Sequence, residues 1–156
     1  MVYLPLNLRT AFTQTFSEYP PKRSNEPVAE TAGSNIIDKI AIVESSDNHM
    51  TDGKLTESPK GALGKYQLMP ATAKQPGFGV TPIPDLRKAS EAEHKRFATE
   101  YYNAMLKEFD GDEEKALAAY NGGHQAIKEA VKKDPDNWKQ YIPDESKKYI
   151  DKVSML

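Results

Sequence analysis

Ser34-Asn-Ile-Ile-Asp-Lys-Ile-Ala-Ile-Val-Glu-Ser-Ser46 is the stretch on which the fold turns. Ile36, Ile40 and Glu44 fall at four-residue steps, with Ile37 and Val43 beside them. That spacing predicts an amphipathic helix, capped by Ser34 and running to about Ser46, with an apolar stripe turned inward. Glu44 stands on this stripe near the C-terminal end, where another apolar side chain is expected. Desolvation favours the neutral form of a carboxyl, so a Glu held against apolar neighbours keeps its proton near neutral pH. A protonated carboxyl at working pH is what general-acid catalysis needs. A frayed helix end would instead leave Glu44 in water, and the helix alone does not separate the two.

Upstream, residues 1 to about 33 read as an extension. A short amphipathic piece, Leu8 to Phe16, leads into the proline-rich Tyr19-Pro-Pro-Lys-Arg-Ser-Asn-Glu-Pro27, which favours an extended linker. Downstream, Asp47 to Lys60 is polar, with Gly53 and Pro59 as turn residues. Pro70 marks a helix start, and Gln75 to Asp85 is a loop rich in proline and glycine. Ser90-Glu-Ala-Glu93 is a capping box that opens a long helix with Phe97, Tyr101, Met105 and Leu106 as its stripe, ending near Asp110-Gly111. Asp112 caps a helix that Gly122-Gly123 stops, and two more helical patterns follow, Gln125 to Lys133 and Asp144 to Val153. Long alternating strands are absent, so any sheet lies between Gly53 and Gln67 and is small. The expected fold class is mainly α, a compact helical domain over residues 34–156 with at most a small β region.

The chain's 156 residues suit one domain with a real core. Apolar and charged fractions of 38% and 28% are those of an ordinary soluble protein. A net charge of −2 argues against nucleic acid as a partner, and the late lysines, Lys128 to Lys148, are interleaved with acids as on a solvated helix face. The lack of cysteine removes disulfides, thiolate zinc sites and a cysteine nucleophile. His49, His94 and His124 show no paired metal spacing and read as loop and surface residues. Asp47, Asp52 and Gly53 fit no register of a calcium loop. No run of apolar residues is long enough to span a bilayer.

Four separated blocks resemble the lytic transglycosylases, peptidoglycan-cleaving enzymes of lysozyme-like (α+β) fold. Glu44-Ser45-Ser46 is similar to their catalytic-helix motif. Gly61-Ala-Leu-Gly-Lys-Tyr-Gln-Leu-Met-Pro-Ala-Thr-Ala73 resembles the Gly-Leu-Met-Gln-Leu-Met-Pro block, and Leu117-Ala-Ala-Tyr-Asn-Gly-Gly123 the Ala-Tyr-Asn-Ala-Gly block. Tyr141-Ile-Pro-Asp-Glu-Ser-Lys-Lys-Tyr-Ile-Asp-Lys-Val153 is similar to the closing helix, Pro-Glu-Thr-x-x-Tyr-Val-x-x-Val. The order of the blocks, across about residues 34 to 154, carries the resemblance.

The resemblance implies roles. Glu44 would be the sole catalytic acid, cleaving between N-acetylmuramic acid and N-acetylglucosamine to leave a 1,6-anhydromuramoyl end. Ser45 would help to orient the sugar, or else merely cap the helix end. Gln67 and Met69 would line the cleft, Met69 doubling as core. Tyr120 and Asn121 would reach the acid and the sugar, with a plain helix cap as the alternative for Asn121. Tyr149 would face the cleft from the last helix. Tyr66, Trp138 and Tyr141 are weaker candidates for sugar-stacking walls. The family needs no metal or cofactor.

Three departures from the family pattern stand out. Gly122 replaces the common Ala, and Lys65-Tyr66 replaces Leu-Met, which implies a more polar, aromatic cleft wall. The loop after Glu44 is a few residues long for the family. Its Asp47, Asp52 or Glu57 could supply a second carboxylate and make the enzyme a muramidase. A wall-binding or virion-structural module without catalysis is the alternative of another class. Pro5, Asn7 and Arg9 interrupt the first apolar run, so the start does not read as a secretory signal. Together with the Lys65-Tyr66 variant, this gives the expectation of a phage virion enzyme acting at the host wall. The extension would meet other virion proteins, and the alternative is a bacterial periplasmic enzyme exported by a non-classical route.

Overall fold

The computed structural model describes residues 32–156, with side chains from residue 36 onward. The expected extension, with its Leu8 to Phe16 piece, therefore lies outside the described residues, apart from Ala32 and Gly33, which already belong to the first helix.

That helix, α1, spans Ala32–Ser45, so Ser34 lies inside it rather than capping it. Ile37, Ile40 and Ala41 are buried, with Ile36 and Val43 packed partly against the same core. Each fully buried isoleucine is worth about 1.5–3 kcal/mol over its exposed state. Glu44 continues this stripe, seven residues after Ile37 and three after Ala41, and is half-buried. Ser46 and Asp47, both with positive φ (54° and 64°), then turn the chain. Their N–H groups donate to the free carbonyls of Ile42 and Ala41.

A two-residue hairpin follows, β1 (Met50–Thr51) against β2 (Lys54–Leu55), antiparallel with Met50 opposite Leu55. It begins slightly before the expected Gly53. Isolated bridges join Glu57 to Leu63 and Leu63 to Leu68. The Leu63–Leu68 pair, closed by N–H···O bonds of 2.9 and 3.0 Å, pinches Gly64-Lys65-Tyr66-Gln67 into a tight turn. Gly64 (φ 73°) and Gln67 (φ 48°) take the left-handed conformations that it needs.

Helix α2 (Pro70–Lys74) has proline in its first turn. The capping box forms as its sequence implies and opens α3 (Glu91–Glu108): Glu93 N–H donates to Ser90 Oγ and Ser90 N–H to Glu93 Oε2. The buried face of α3 is His94, Phe97, Ala98, Tyr102 and Met105, a slight rotation of the expected stripe. Tyr101 thereby moves to the edge of the core. Asp112 caps α4 (Glu113–Gly122), which Gly123 (φ 87°) stops, and α5 (His124–Lys133) follows directly. A 3-10 helix (Trp138–Tyr141), not foreseen from the sequence, precedes α6 (Asp144–Ser154).

Helix α4 is the hub and touches α3, α5 and α6, while α1 packs on α3 and α6. Ala116, Leu117, Ala118 and Ala119 are all buried, which requires apolar residues all round, and the three alanines let neighbours approach closely. The late lysines sit on the solvated side as expected, Lys128 pairing with Glu108, Lys139 with Glu114 and Lys147 with Asp144. Among the described residues no helix is long and apolar enough to cross a membrane.

His94 corrects the expectation of surface histidines. It is fully buried, its Nε2–H donates to Leu86 O at 2.9 Å, and its Nδ1 has no partner. A ring on an α3 position facing the core has nowhere else to go. His49 packs edge-on against it, with ring centroids 4.8 Å apart, and accepts a hydrogen bond from Lys65 N–H. Burial, then the neighbouring His94, hold the His49 imidazole below its usual value.

Candidate active site

Glu44 opens onto a cleft of about 480 Å³ whose walls include Gln67, Met69, Tyr120 and Asn121. The end of α1, the Gly64–Gln67 turn and the end of α4 thus converge on one carboxyl. Burial pushes Glu44 up to about 7, with Tyr149 acting against the shift and the nearby charge of Glu145 adding to it. About half of it therefore keeps its proton at neutral pH, where an ordinary carboxyl keeps almost none. It points into the cleft rather than into open water.

The Gly64–Gln67 turn is held mainly by its backbone. Lys65 O accepts from Ser45 Oγ at 2.8 Å, and Tyr66 O accepts from Tyr120 Oη at 3.1 Å. Gln67 folds back, its Nε2 donating to Gly64 O at 2.9 Å, and still lines the cleft. Lys65 Nζ reaches away to Glu91 (2.7 Å) and Asp47 (3.1 Å). Lys65 and Tyr66 face this second, charged hollow, and Tyr66 is buried, so their departure from the family pattern does not change the cleft wall as expected.

Ser45 lies off the cleft wall. Its hydroxyl bonds Lys65 O and Ala41 O and accepts from Asn48 N–H, which ties the helix end to the turn. Met69 is exposed at the cleft, not in the core. Asn121 lies in the last turn of α4 and is not its cap. Its Oδ1 accepts from Ser146 Oγ at 3.0 Å, which fixes the amide's orientation and aims its N–H₂ elsewhere. Gly122 lets Ser146 approach, since a Cβ there would stand 3.0 Å from Ser146 Oγ. Tyr149 is buried behind Glu44. Its phenol has no partner of strict hydrogen-bond geometry, yet is close enough to favour the charged acid. Burial, then Glu44, raise both Tyr120 and Tyr149 well above the usual phenol range, so both stay neutral.

The proposed stacking walls are corrected. Tyr66 and Trp138 are buried in the core, and Tyr141, although exposed, lies outside the cleft under Lys133. The aromatic wall is instead Tyr101 and Tyr120, edge-on at 6.0 Å, with the core residue Phe97 stacked on Tyr101 at 5.9 Å. Of the expected α3 stripe, Phe97 is core as its spacing implies, while Tyr101 stands at the core's edge and faces the cleft. A cleft wall is also apolar on a helix face, so periodicity alone does not separate it from core.

The loop carboxylates do not reach the cleft. Asp47 pairs with Lys65, Glu57 with Arg87, and Asp52 sits exposed in the hairpin turn. The second carboxylate in the wall is Glu145, at the start of α6, a residue quoted in the closing-helix block but given no role there. Its side chain is 72% exposed and meets Lys60, also a wall residue, at 3.8 Å.

Comparison with known proteins agrees with this arrangement. The family described as Transglycosylase SLT domain matches residues 27–142, which leaves α6 beyond the matched stretch. The membrane-bound lytic murein transglycosylase D of Escherichia coli K12 is 32% identical over 124 residues, 75% of this chain and 26% of that protein. The enzyme of the same name from E. coli O6:H1 matches equally. An inactive mutant of the lytic transglycosylase Slt from Pseudomonas aeruginosa, with glutamine in place of a glutamate, superposes with a TM-score of 0.61 at 28% identity, covering 77% of this chain and 20% of that one. The chain thus spans about a quarter of the E. coli proteins and a fifth of the Slt chain. With the family matched over most of its length and the cleft residues gathered around Glu44, the chain belongs to the Transglycosylase SLT domain family.

Proposed function

We propose that this protein is a peptidoglycan lytic transglycosylase in which Glu44 alone serves as acid and then as base. The observation that carries the reading is a half-buried carboxyl, pushed up to about 7, on the wall of a cleft whose other carboxylate is solvated and ion-paired. Glu44 gives its proton to the glycosidic oxygen of the MurNAc–GlcNAc link as the C1–O bond breaks. The substrate's own N-acetyl carbonyl stabilises the charge at C1. The 6-hydroxyl of the same sugar then bonds to C1 and returns its proton to Glu44. Water is not consumed. In this reading Asn121, oriented by Ser146, and Gln67 hold the sugar's polar groups. The inactive glutamine-for-glutamate mutant of the Slt relative shows that a glutamate is needed in that protein, which supports a glutamate as the acid here.

A digest of purified peptidoglycan by the wild type and Glu44→Gln, with products read by mass spectrometry, tests this. Anhydromuramoyl ends from the wild type alone are expected. Reducing ends would move the reaction to a muramidase, with Glu145 as the carboxylate positioned to activate water. No products from a folded wild type would leave a wall-binding module. Carriage in a phage particle belongs to the same proposal, on the strength of the Lys65-Tyr66 variant, and detection in purified particles by mass spectrometry checks it.

The reacting form of Glu44 is protonated, so activity should decline as pH rises through about 7. Glu145→Gln removes a like charge that raises Glu44, so the alkaline limb should move to lower pH. Because Glu145 is largely solvated, the shift should be small and vanish at high salt. A limb that moves upward would contradict this arrangement of charges.

A further inference from the structure

Gly123 belongs to the cleft wall, and an aromatic pair begins at the next residue. His124 follows Gly123, and its ring meets Phe78 at 4.8 Å and 81°. Phe78 is 43% exposed. It sits between Gly77 and Gly79, and all three have positive φ (69°, 52° and 73°). A bulky residue rarely adopts that conformation, and such strain persists only where the surroundings fix it. Here buried Pro76 and Val80 anchor the loop on either side, with Val80 N–H donating to Gly77 O at 3.0 Å. An apolar ring is thereby fixed facing solvent beside an imidazole. Neither ring takes part in the chemistry proposed for Glu44.

A pyranose offers an aromatic ring its C–H face and offers hydroxyls at its rim, and a neutral imidazole can donate to one and accept from another. A polymer strand leaving the cleft at Gly123 would place its next sugar here. We propose that Phe78 and His124 form a distal glycan subsite that holds a pyranose of the strand beyond the catalytic cleft. The inference rests on the transglycosylase reading.

The test uses the full chain carrying Glu44→Gln, so that bound sugar is not consumed, titrated with two chitin oligosaccharides. One is short enough to fill the cleft alone, and the other is long enough to pass Gly123. Phe78→Asn removes the ring yet tolerates a left-handed backbone, and Phe78→Trp keeps a stacking surface. Phe78→Asn should weaken the long ligand by about tenfold, the scale of one aromatic contact, and leave the short one unchanged. Phe78→Trp should retain the affinity. Equal losses for both ligands, or no loss for the long one, would overturn the subsite. If the wild type digests peptidoglycan while Phe78→Asn binds like its parent, only the subsite falls. If the wild type digests nothing, the reading beneath it falls as well.

Discussion

Glu44→Gln should cut turnover by about 10²–10⁴-fold, the usual worth of a positioned general acid, and leave the fold intact. The amide matches the neutral acid in shape and can occupy the same half-buried site, but it has no proton to give to a leaving oxygen. Unchanged turnover would mean that another group is the acid. The same substitution should also change how stability depends on pH. The carboxyl of Glu44 titrates near 7 in the fold and near 4.5 when unfolded, so between these values the folded state holds more protons. Its contribution is full below the lower value and is lost as pH rises through the upper one. Glutamine does not titrate. The variant should therefore unfold at higher denaturant than the wild type at about pH 8, with the gap closing in acid. A gap that widened in acid would show that the sign of this linkage is wrong.

Gly64→Ala should be the most damaging single methyl added to the molecule. The position has φ 73°, and a Cβ would stand 2.7 Å from His94 Nδ1 and 3.0 Å from the His49 ring. His94 cannot retreat, being fully buried and tied to Leu86 O. The left-handed backbone costs an alanine about 1–2 kcal/mol, and overpacking adds about 1–3 kcal/mol. Gly61 supplies the control. Its φ of 83° is as unfavourable, yet nothing lies within 4 Å of a Cβ there. Gly61→Ala should show the backbone cost alone, and denaturant midpoints of the two variants should differ by the packing part. Equal midpoints would mean that the imidazoles do not wall in the turn.

Much of this architecture was legible because its signals are local. The capping box at Ser90, the Asp112 cap and the stop at Gly123 each act over a few residues, and each appears where the sequence places it. Glu44 was legible for a similar reason, since a carboxyl on an apolar stripe breaks a pattern. Partners distant in sequence were not. Ser146 on Asn121, Ser45 on Lys65 O and Tyr120 on Tyr66 O span 25, 20 and 54 residues, and no periodicity records such meetings. Of the histidines only His94 departs from the loop and surface reading, since His49 lies in a loop and His124 is part-exposed. A lone His on a core face leaves no other mark than its neighbours, Phe97 and Ala98, one turn on.

The turn that carries Gln67 is gripped at two backbone carbonyls, those of Lys65 and Tyr66. A carbonyl is present whatever the side chain, so an inherited change at either position leaves both grips in place. Related chains can therefore drift here, trading one pair of residues for another, without surrendering the geometry at the glutamate.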